Sequence, residues 1–536
     1  MVAVQTTNQI TGKRKWWALA TVMMTMFFAS MNQTVVSTAI PTIVSDLSGF
    51  EYYAWLFSAF MITSAVTVPI YGKLSDVYGR RPFYLFGLIV FAIGSVLAGL
   101  AESMMWLIVA RAIQGIGAGA MMTMPNATIG DIFNPKERGK WMGVLGVVFG
   151  ISSIIGPTLG GFITQQFGWE WVFFVNLPFA VLAILGVYFT LPKVKTEDQV
   201  KVDWTGSFLL IAGLLPIMIG LTWVGDRFGW TDWQVVTVFI VGIVILTIFV
   251  LFERRVKDAI IEMSFFKNKI FSITVVLALF VTMAMFGTIM FLPLYIQGVV
   301  GLTVQQSGIV MTPLMLSFII GATLTGQLMS RTGTYKRYAF VGATLMLIGL
   351  FLFNQMDVHT SFWTVMLNMA VFGIGIGSLM PIMNVSVQNA FPYKQMGQVN
   401  ANLQFSRSLA GVIAAPVFGA ILNAWFLRRF NEVEPSGFNE LSDSAQQDIL
   451  AMDPQQLITR EAQESVESSF AAIGPEGEAL YQEWLHAIQL SLSSGISALF
   501  FVGLIFAVLT LVCVIFLPEY KLQEDEYYEE EKQEST

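Results

Sequence analysis

Residues 72–82 read GKLSDVYGRRP, and this stretch decides how the rest of the chain is interpreted. It separates two long apolar segments, and it places one acid, Asp76, close to two bases, Arg80 and Arg81. A carboxylate in this setting can form ion pairs with the bases or accept hydrogen bonds from the amides that begin a helix. The stretch is therefore a polar connection whose charges can hold neighbouring elements together.

A second copy of this connection begins at Gly326 and reads GQLMSRTGTYKR. Gly72 and Gly79 correspond to Gly326 and Gly333, both at an offset of 254 residues. The second copy has Ser330 where the first has its acid. Any bond made by the acid is therefore expected in one copy only.

Further matches follow in the same order, which indicates an internal repeat. GIGAG from Gly115 corresponds to GIGIG from Gly373 at an offset of 258, as Phe133 and Gly139 do to Phe391 and Gly397, and Pro157 corresponds to Pro416 at 259. We predict two six-helix halves in the same orientation, over 16–191 and 269–517, with a helix pair over 204–252 inserted between them.

The composition is that of an integral membrane protein. Of 536 residues, 55% are hydrophobic and 12% are charged, and the mean hydropathy is +0.67. A bilayer core is crossed by about 20 apolar residues in a helix. Fourteen such stretches are predicted, at 16–40, 52–72, 82–101, 105–129, 140–163, 170–191, 204–224, 233–252, 269–297, 305–329, 337–354, 362–389, 400–427 and 491–517.

The distribution of basic residues predicts the orientation of these spans. One set of loops holds 23 of the 29 Lys and Arg residues, and the opposite loops hold four, namely Arg227, Arg428, Arg429 and Arg460. Basic residues accumulate in cytoplasmic loops. Both termini are therefore expected in the cytoplasm, in a multi-pass protein of the cell membrane.

Four parts of the chain follow from these patterns. They are a six-helix half over 1–191, an inserted pair over 192–268, a second half over 269–517 and an acidic cytoplasmic tail over 518–536. Residues 253–268 are predicted to form an amphipathic helix on the cytoplasmic surface. Residues 430–490 form an acidic external insert with short amphipathic helices, interpreted either as a solvated cap or as a docking surface for a partner.

The residue inventory argues against an enzyme. The chain has one cysteine, Cys513, and two distant histidines, His359 and His486, with no HExxH, P-loop or Gly-x-Ser-x-Gly pattern. We expect no metal, no cofactor and no nucleic-acid partner. A channel is also disfavoured, because pores are usually built by rings in symmetric oligomers.

The motifs resemble those of the major facilitator superfamily, which implies an all-α membrane fold of two six-helix halves. GKLSDVYGRRP resembles its signature loop, RAIQGIGAG at 111–119 its proton-coupled fourth-helix motif, and GPTLGG at 156–161 its fifth-helix export motif. Fourteen spans and TVVSTAIP at 34–41 resemble the fourteen-span drug:proton antiporter group. The resemblance implies a monomeric bacterial multidrug exporter, associated with antibiotic resistance and driven by proton antiport.

Two motifs are expected to act in gating. The group Gly72, Asp76, Gly79, Arg80 and Arg81 is interpreted either as a latch between the cytoplasmic ends of the halves or as simple topology anchors. Glycines allow helices to approach closely, and proline bends a helix. In the fifth span, these properties predict either tight packing across the interface between halves or ordinary helix packing, and the residues concerned are Gly156, Pro157, Gly160 and Gly161.

Arg111 is expected to be functional, because a charge at membrane depth is costly unless it is paired or solvated. Asn32 is predicted at a similar depth, roughly 9–14 Å below the outer surface. The resemblance implies a proton-carrying acid at the position of Asn32, and no other Asp or Glu lies deep in any span. Either the Asn is native and coupling is weak or sited elsewhere, or it replaces an Asp as a neutral mimic. Arg407 is expected to extend to the cytoplasmic surface.

The substrate site is expected between the halves. Phe and Met surfaces adapt to varied lipophilic ligands, although such residues also pack helices or face lipid. The candidate lining residues are Gln33, Trp55, Gln114, Phe286, Met290, Asn384 and Gln388. The predicted function is export of lipophilic or amphipathic compounds, and the alternative is export of one endogenous lipid or metabolite, which the large external insert favours.

Overall fold

The computed structural model describes an α-helical chain. The described residues are 12–47, 53–133, 135–192, 203–224, 228–256, 259, 261–300, 311–358, 360–392, 395–433, 460–471 and 477–519. The first nine helices are α1 Gly12–Asp46, α2 Tyr53–Tyr78, α3 Arg80–Gly99, α4 Met104–Ile132, α5 Pro135–Phe167, α6 Trp171–Phe174, α7 Asn176–Thr190, α8 Trp204–Trp223 and α9 Trp233–Glu253. The other seven are α10 Lys269–Gly298, α11 Thr312–Thr332, α12 Lys336–Asn354, α13 Phe362–Gln388, α14 Met396–Val433, α15 Arg460–Ala471 and α16 Gly477–Phe516.

Local sequence signals explain several of the helix boundaries. Ser103 and Ser361 begin α4 and α13 with side chains that accept from the amides of Trp106 and Thr364, as N-cap residues do. Gly79, with φ of 86°, makes the sharp turn between α2 and α3. This positive φ strains residues other than glycine, so the turn in GKLSDVYGRRP depends on it.

Twelve described helical segments are long and apolar enough to cross a membrane. Helices also occupy the predicted spans 52–72 and 140–163, as α2 and α5, but these two are not among the twelve. Length and composition therefore support twelve spans, and the number fourteen stays a prediction.

The helices before and after the inserted pair pack in matching ways. Within the first group, α1 contacts α5 and α7, α4 contacts α2 and α3, and α3 contacts α7. Within the second group, α10 contacts α14 and α16, α13 contacts α11 and α12, and α12 contacts α16. Helices α8 and α9 pack mainly on each other and touch the groups through α2 and α14.

The predicted surface helix over 253–268 is wrong for most of its length. Only Met263–Lys267 is helical after Glu253, as a short 3₁₀ turn, among the described residues of this segment. Phe265 is 1% exposed and contacts the rings of Phe271 and Phe391. Packing of the apolar side chains against the helix bundle replaces the membrane-surface contact that the helical spacing suggested.

The external insert is partly helical. The predicted helix at EAQESVESSFAAI is present as α15, and its Phe470 packs against Tyr481 and Trp484. Helix α16 begins at Gly477, before the predicted span at 491–517, so one continuous helix joins the insert to the span. Residues 434–459, which include the predicted helix AQQDILAM, and the tail after Glu519 lie outside the described residues.

Candidate functional site

The two helix groups meet at close glycine contacts near the basic loops. A Cβ atom added to Gly72 of α2 would lie 2.8 Å from the carbonyl oxygen of Gly397 of α14. A Cβ added to Gly139 of α5 would lie 3.1 Å from the carbonyl oxygen of Gly326 of α11. A side chain at either position would press against the backbone of the facing helix, so both close contacts depend on glycine.

These four glycines are related by the internal repeat. Gly72 corresponds to Gly326, and Gly139 corresponds to Gly397, so each contact joins one member of each repeat-related pair. The sequence identified the residues as repeat markers without showing that they touch. A single interface is thus built twice, once by α2 with α14 and once by α5 with α11.

Asp76 adds two hydrogen bonds from backbone amides to its carboxylate at the first of these two contacts. Its carboxylate oxygens accept from the backbone amides of Gly397 at 2.7 Å and Gln398 at 2.6 Å. Helix α14 begins at Met396, so both amides belong to the first turn, where they have no partner within the helix. The carboxylate also benefits from the positive end of the helix dipole.

Arg80 completes this cluster. Its Nη1 lies 2.5 Å from an oxygen of Asp76, and its Nε lies 2.8 Å from an oxygen of Asp131 on α4. The side chains of Asp76 and Arg80 are 4% and 12% exposed. Arg81 is not part of the cluster, because its guanidinium lies 4.4 Å from the ring centre of Tyr188 on α7. Sequence reasoning missed Asp131, Gly397 and Gln398 as partners.

The fifth-helix motif packs against α1 rather than against the other group. A Cβ on Gly156 would overlap the side chain of Thr34, with the Thr34 Cβ 2.8 Å away. Gly160 is buried, Gly161 has open space beside it, and Pro157 lies within α5. Of the two interpretations of this motif, the contact of Gly156 with α1 fits ordinary helix packing and not packing across the interface between halves.

The contact of α5 with the other group lies on a different face of that helix. A stripe at helical spacing touches α11 and consists of Gly139, Gly143, Gly146 and Gly150. Gly156 follows the last of these by six residues, which rotates it well away from the stripe. Helical rotation thus separates the export motif from the interface.

Arg111 is fully buried and is held by neutral groups. Its Nη1 donates to Asn32 Oδ1 at 3.2 Å and to Gln114 Oε1 at 2.5 Å, and its Nε donates to the carbonyl oxygen of Leu56 at 3.2 Å. The guanidinium lies 4.2 Å from the ring centre of Phe60. The structure therefore places Asn32 and Arg111 together.

Two polar atoms of this group have no hydrogen-bond partner among the described residues. They are Arg111 Nη2 and Asn32 Nδ2, and both residues are 0% exposed. The Asn32 side chain presents its oxygen to Arg111, as an aspartate would, but the amide cannot ionise. The arrangement has the geometry of an ion pair without the negative charge.

The candidate substrate residues do not form one cluster. Gln114 is committed to Arg111 and to Ser95, whose Oγ accepts from Gln114 Nε2 at 2.7 Å. Gln388 donates to the carbonyl oxygen of Asn126 on α4 at 3.3 Å and to Asn400 Oδ1 on α14 at 2.7 Å. Gln388 is thus a link between the two groups near the basic loops.

The remaining candidates differ in burial. Asn384 is 7% exposed and donates to the carbonyl oxygen of Met380 one turn earlier. Met290 is 52% exposed. Gln33, Trp55 and Phe286 are half-buried.

Arg407 does not extend to the surface as expected. Its Nε and Nη2 atoms are both buried, and neither has a hydrogen-bond partner among the described residues. Helix α14 packs against α2, α4 and α10, and Arg407 as a whole residue is half-buried. Distance from a helix end could not reveal this, because the covering helices are remote in sequence.

A separate cavity of about 490 Å³ lies at the opposite end from the basic loops. Its walls include Asp357, Trp425, Arg428 and Glu432, and none of the candidate substrate residues lines it. Arg428 and Arg429 both pair with Glu432, at 3.3 and 3.0 Å. These exposed ion pairs are expected to contribute little to stability.

Comparison with known proteins is consistent with this geometry. The family model described as Major Facilitator Superfamily matches residues 22–415. Multidrug transporter protein MdtP of Bacillus subtilis (strain 168) is 34% identical over 515 residues, which covers 95% of this chain and 94% of that protein. Multidrug resistance protein 3 of the same organism is 30% identical over 492 residues, covering 92% and 93%.

Solved structures show the same fold at low identity. The proton:xylose symporter XylE bound to 6-bromo-6-deoxy-D-glucose matches with a TM-score of 0.62 at 13% identity, covering 95% of this chain and 97% of that one. A bacterial homologue of the human lysosomal transporter Spinster, in an inward-facing and unoccupied conformation, matches with a TM-score of 0.56 at 16% identity. It covers 95% of this chain and 98% of that structure.

Proposed function

Because the chain belongs to the Major Facilitator Superfamily, whose members are membrane transporters rather than enzymes, we propose that it exports lipophilic and amphipathic compounds by alternating access. Two relatives of nearly full length are named as a multidrug transporter and a multidrug resistance protein. The bond from Asp76 across to the first turn of α14 carries the mechanistic part of this proposal.

In this proposal, the cluster of Asp76, Arg80 and Asp131 is the latch of the basic end. When Asp76 binds the α14 amides, the two glycine contacts close and the substrate site loses its route to the basic side. When the bond breaks, α14 separates from α2 and that route opens. The second glycine contact has Ser330 in place of the acid, so the latch acts on one side of the interface.

We propose that Asn32 and Arg111 form the position where protons couple to transport in related antiporters. A carboxyl beside Arg111 could release its proton as the ion pair forms, and an amide cannot. As it stands, the chain is expected to move substrate with weak or no coupling at this site. Asn32 is either native or a neutral replacement for Asp, and both explanations predict the same behaviour for this sequence.

Further features of the proposal come from the sequence patterns. They are fourteen spans, halves over 1–191 and 269–517 with the inserted part 192–268, the external insert 430–490 and the acidic tail 518–536. Both termini face the cytoplasm of a bacterial cell membrane, and the protein works as a monomer. Export of one endogenous lipid or metabolite is the alternative.

Counterflow in proteoliposomes tests the proposed function. Vesicles loaded with an unlabelled lipophilic dye should accumulate the labelled dye transiently above its external concentration, because a carrier exchanges one for the other without a gradient of protons. If the labelled dye inside the vesicles only rises to its external concentration and never exceeds it, the dye crosses by a channel or leak, and alternating access is refuted. Competition by one metabolite and by no unrelated lipophilic compound would favour the alternative.

A further inference from the structure

We propose that the transported compounds are organic anions, and that Arg407 contacts their negative group at the junction of the two helix groups. The inference rests on the proposed export function, and it goes further because it assigns the charge of the substrate and a binding residue. Lipophilic cations and neutral compounds would then be poorer ligands than anions of the same size and shape.

The first observation is the position of Arg407 on α14. Asn400 precedes it by seven residues, two helical turns, so both side chains leave α14 on the same side. On that side Asn400 accepts from Gln388 of α13, which also donates to the backbone of α4. Arg407 therefore lies on the side of α14 where Gln388 links the two helix groups, two turns beyond that link.

The residue one turn later shows that this side of α14 also faces α10 of its own group. A Cβ added to Gly411 would lie 3.2 Å from the ring of Phe286 on α10. Arg407 is thus located between the Gln388 link and Phe286. Phe286 is half-buried, so an apolar surface is adjacent to the guanidinium.

The second observation is that the Arg407 side chain is poorly satisfied. Nε and Nη2 are buried and have no hydrogen-bond partner within the described part of the chain. A buried charge is costly unless it is paired and hydrogen-bonded. A guanidinium with two unused donors matches a carboxylate, sulfonate or phosphate, which can accept two parallel hydrogen bonds.

The third observation is the absence of acids that could neutralise this charge from within the spans. Between Glu262 and Glu432, the sequence has a single acidic residue, Asp357, which follows the end of α12. In the first half, Asn32 provides an amide beside Arg111, and Arg111 Nη2 also has no partner among the described residues. Arg111 is therefore fully buried, and Arg407 is half-buried with two buried donors, and neither has an acid of the spans as a counter-charge.

A ligand that brings a negative charge would supply what the protein lacks. Arg407 makes the direct contact in this proposal, while Arg111 adds a second positive charge nearer the opposite end of the bundle. Phe286 contributes apolar surface to the organic part of the ligand. The same positive charges would repel a lipophilic cation, which selects against it without any steric difference.

Tetraphenylborate and tetraphenylphosphonium provide a direct test, since these probes have similar size and shape and opposite charge. Their affinities are measured by equilibrium dialysis against the full chain in lipid nanodiscs, with empty nanodiscs subtracted. We expect the anion to bind roughly 270-fold more tightly, because one positive charge at roughly 10 Å and an effective dielectric constant of about 20 strengthens binding of the anion about 16-fold and weakens binding of the cation by the same factor. Equal affinity, or tighter binding of the cation, would overturn the proposal.

Variants of Arg407 test whether this residue causes the preference for the anion. Arg407→Gln should reduce the anion-to-cation affinity ratio by roughly the same 270-fold, because it removes both the attraction of the anion and the repulsion of the cation, and Arg407→Lys should retain most of the ratio. Arg428→Gln removes the same charge from an exposed side chain and is the matched control. Equal changes of the ratio in Arg407→Gln and Arg428→Gln would refute a specific role for Arg407.

The remaining outcomes distinguish a failure of the anion-binding proposal from a failure of the proposed export function. If Arg407→Gln does not fold, the unmodified chain and Arg407→Lys still decide the matter, through competition by a lipophilic carboxylate against its uncharged amide. Preference for the amide would refute the proposal. Counterflow of the cation with none of the anion would refute it while supporting export. Absence of counterflow for every compound would refute the export function itself.

Discussion

Asp76→Asn is expected to open the basic end of the protein while leaving each helix group folded. The substitution keeps the size of the side chain and one oxygen, so Gly397 can still donate to it. The amide nitrogen that replaces the second oxygen faces the backbone N–H of Gln398, which loses its acceptor. Arg80 can still donate to the retained oxygen, which also accepts from Gly397, but it loses the negative charge beside it and keeps the ion pair with Asp131.

The size of the effect follows from these contacts. A hydrogen bond to a charged group contributes about 1.5–3 kcal/mol, and the bond from Gln398 to the carboxylate crosses between the groups. Losing it should therefore destabilise the closed basic end by about 2 kcal/mol. This corresponds to roughly a 30-fold decrease in the ratio of closed to open molecules.

Spin labels on the basic ends of α2 and α14 would measure this ratio as a distance distribution. Asp131→Asn is the matched control, because it removes an Arg80 partner without touching the bond to α14. We expect a larger shift toward long distances in Asp76→Asn than in Asp131→Asn, with unchanged thermal unfolding. Identical distance distributions in Asp76→Asn and the unmodified chain would refute the latch.

Three further predictions concern other close contacts. Gly326→Val should place side-chain atoms against the backbone of α5 and destabilise the closed basic end by about 1–3 kcal/mol, measured by the same labels; an unchanged distribution would contradict the paired-glycine interface. Gly156→Ala should lower the unfolding temperature because its Cβ meets α1, whereas Gly161→Ala, which points into open space, should not; equal melting would show that the packing is not tight. Asn32→Asp should introduce transport driven by a pH gradient in proteoliposomes, and Arg111→Gln in that background should abolish it; equal gradient-driven uptake with and without Asn32→Asp would show that coupling lies elsewhere.

Much of the fold could be predicted because its signals are local. Runs of apolar residues located the helices, including α8 and α9 between the two groups. Ser103 and Ser361 cap helices through hydrogen bonds to amides three residues away, and Gly79 makes its turn through its own φ. The match between Gly72 and Gly326 is visible as a repeat of letters. Each of these features depends on a short segment of chain.

The same locality explains the errors. The spacing of apolar residues over 253–268 is compatible with a surface helix, but Phe265 instead packs on Phe271 and Phe391. For Arg407, the distance from the helix end suggested an exit to the surface, whereas its Nε and Nη2 atoms are buried. Gly156 was recognised as a packing residue, but the sequence left open whether it packs across the interface or within its own half, where it contacts α1. In each case a contact with a distant segment outweighed the local preference.

The sequence by itself determined which residues carry charge inside the bundle, that Asn32 cannot ionise, and that the acid of the first repeat is missing from the second. Only the tertiary structure decided what these residues touch. Asp76 meets amides that lie 321 and 322 residues away along the chain, and Gly139 meets Gly326, which lies 187 residues away. Such contacts depend on how two separately packed groups of helices lie against each other, and that placement is the sum of many side-chain contacts rather than the property of any one segment.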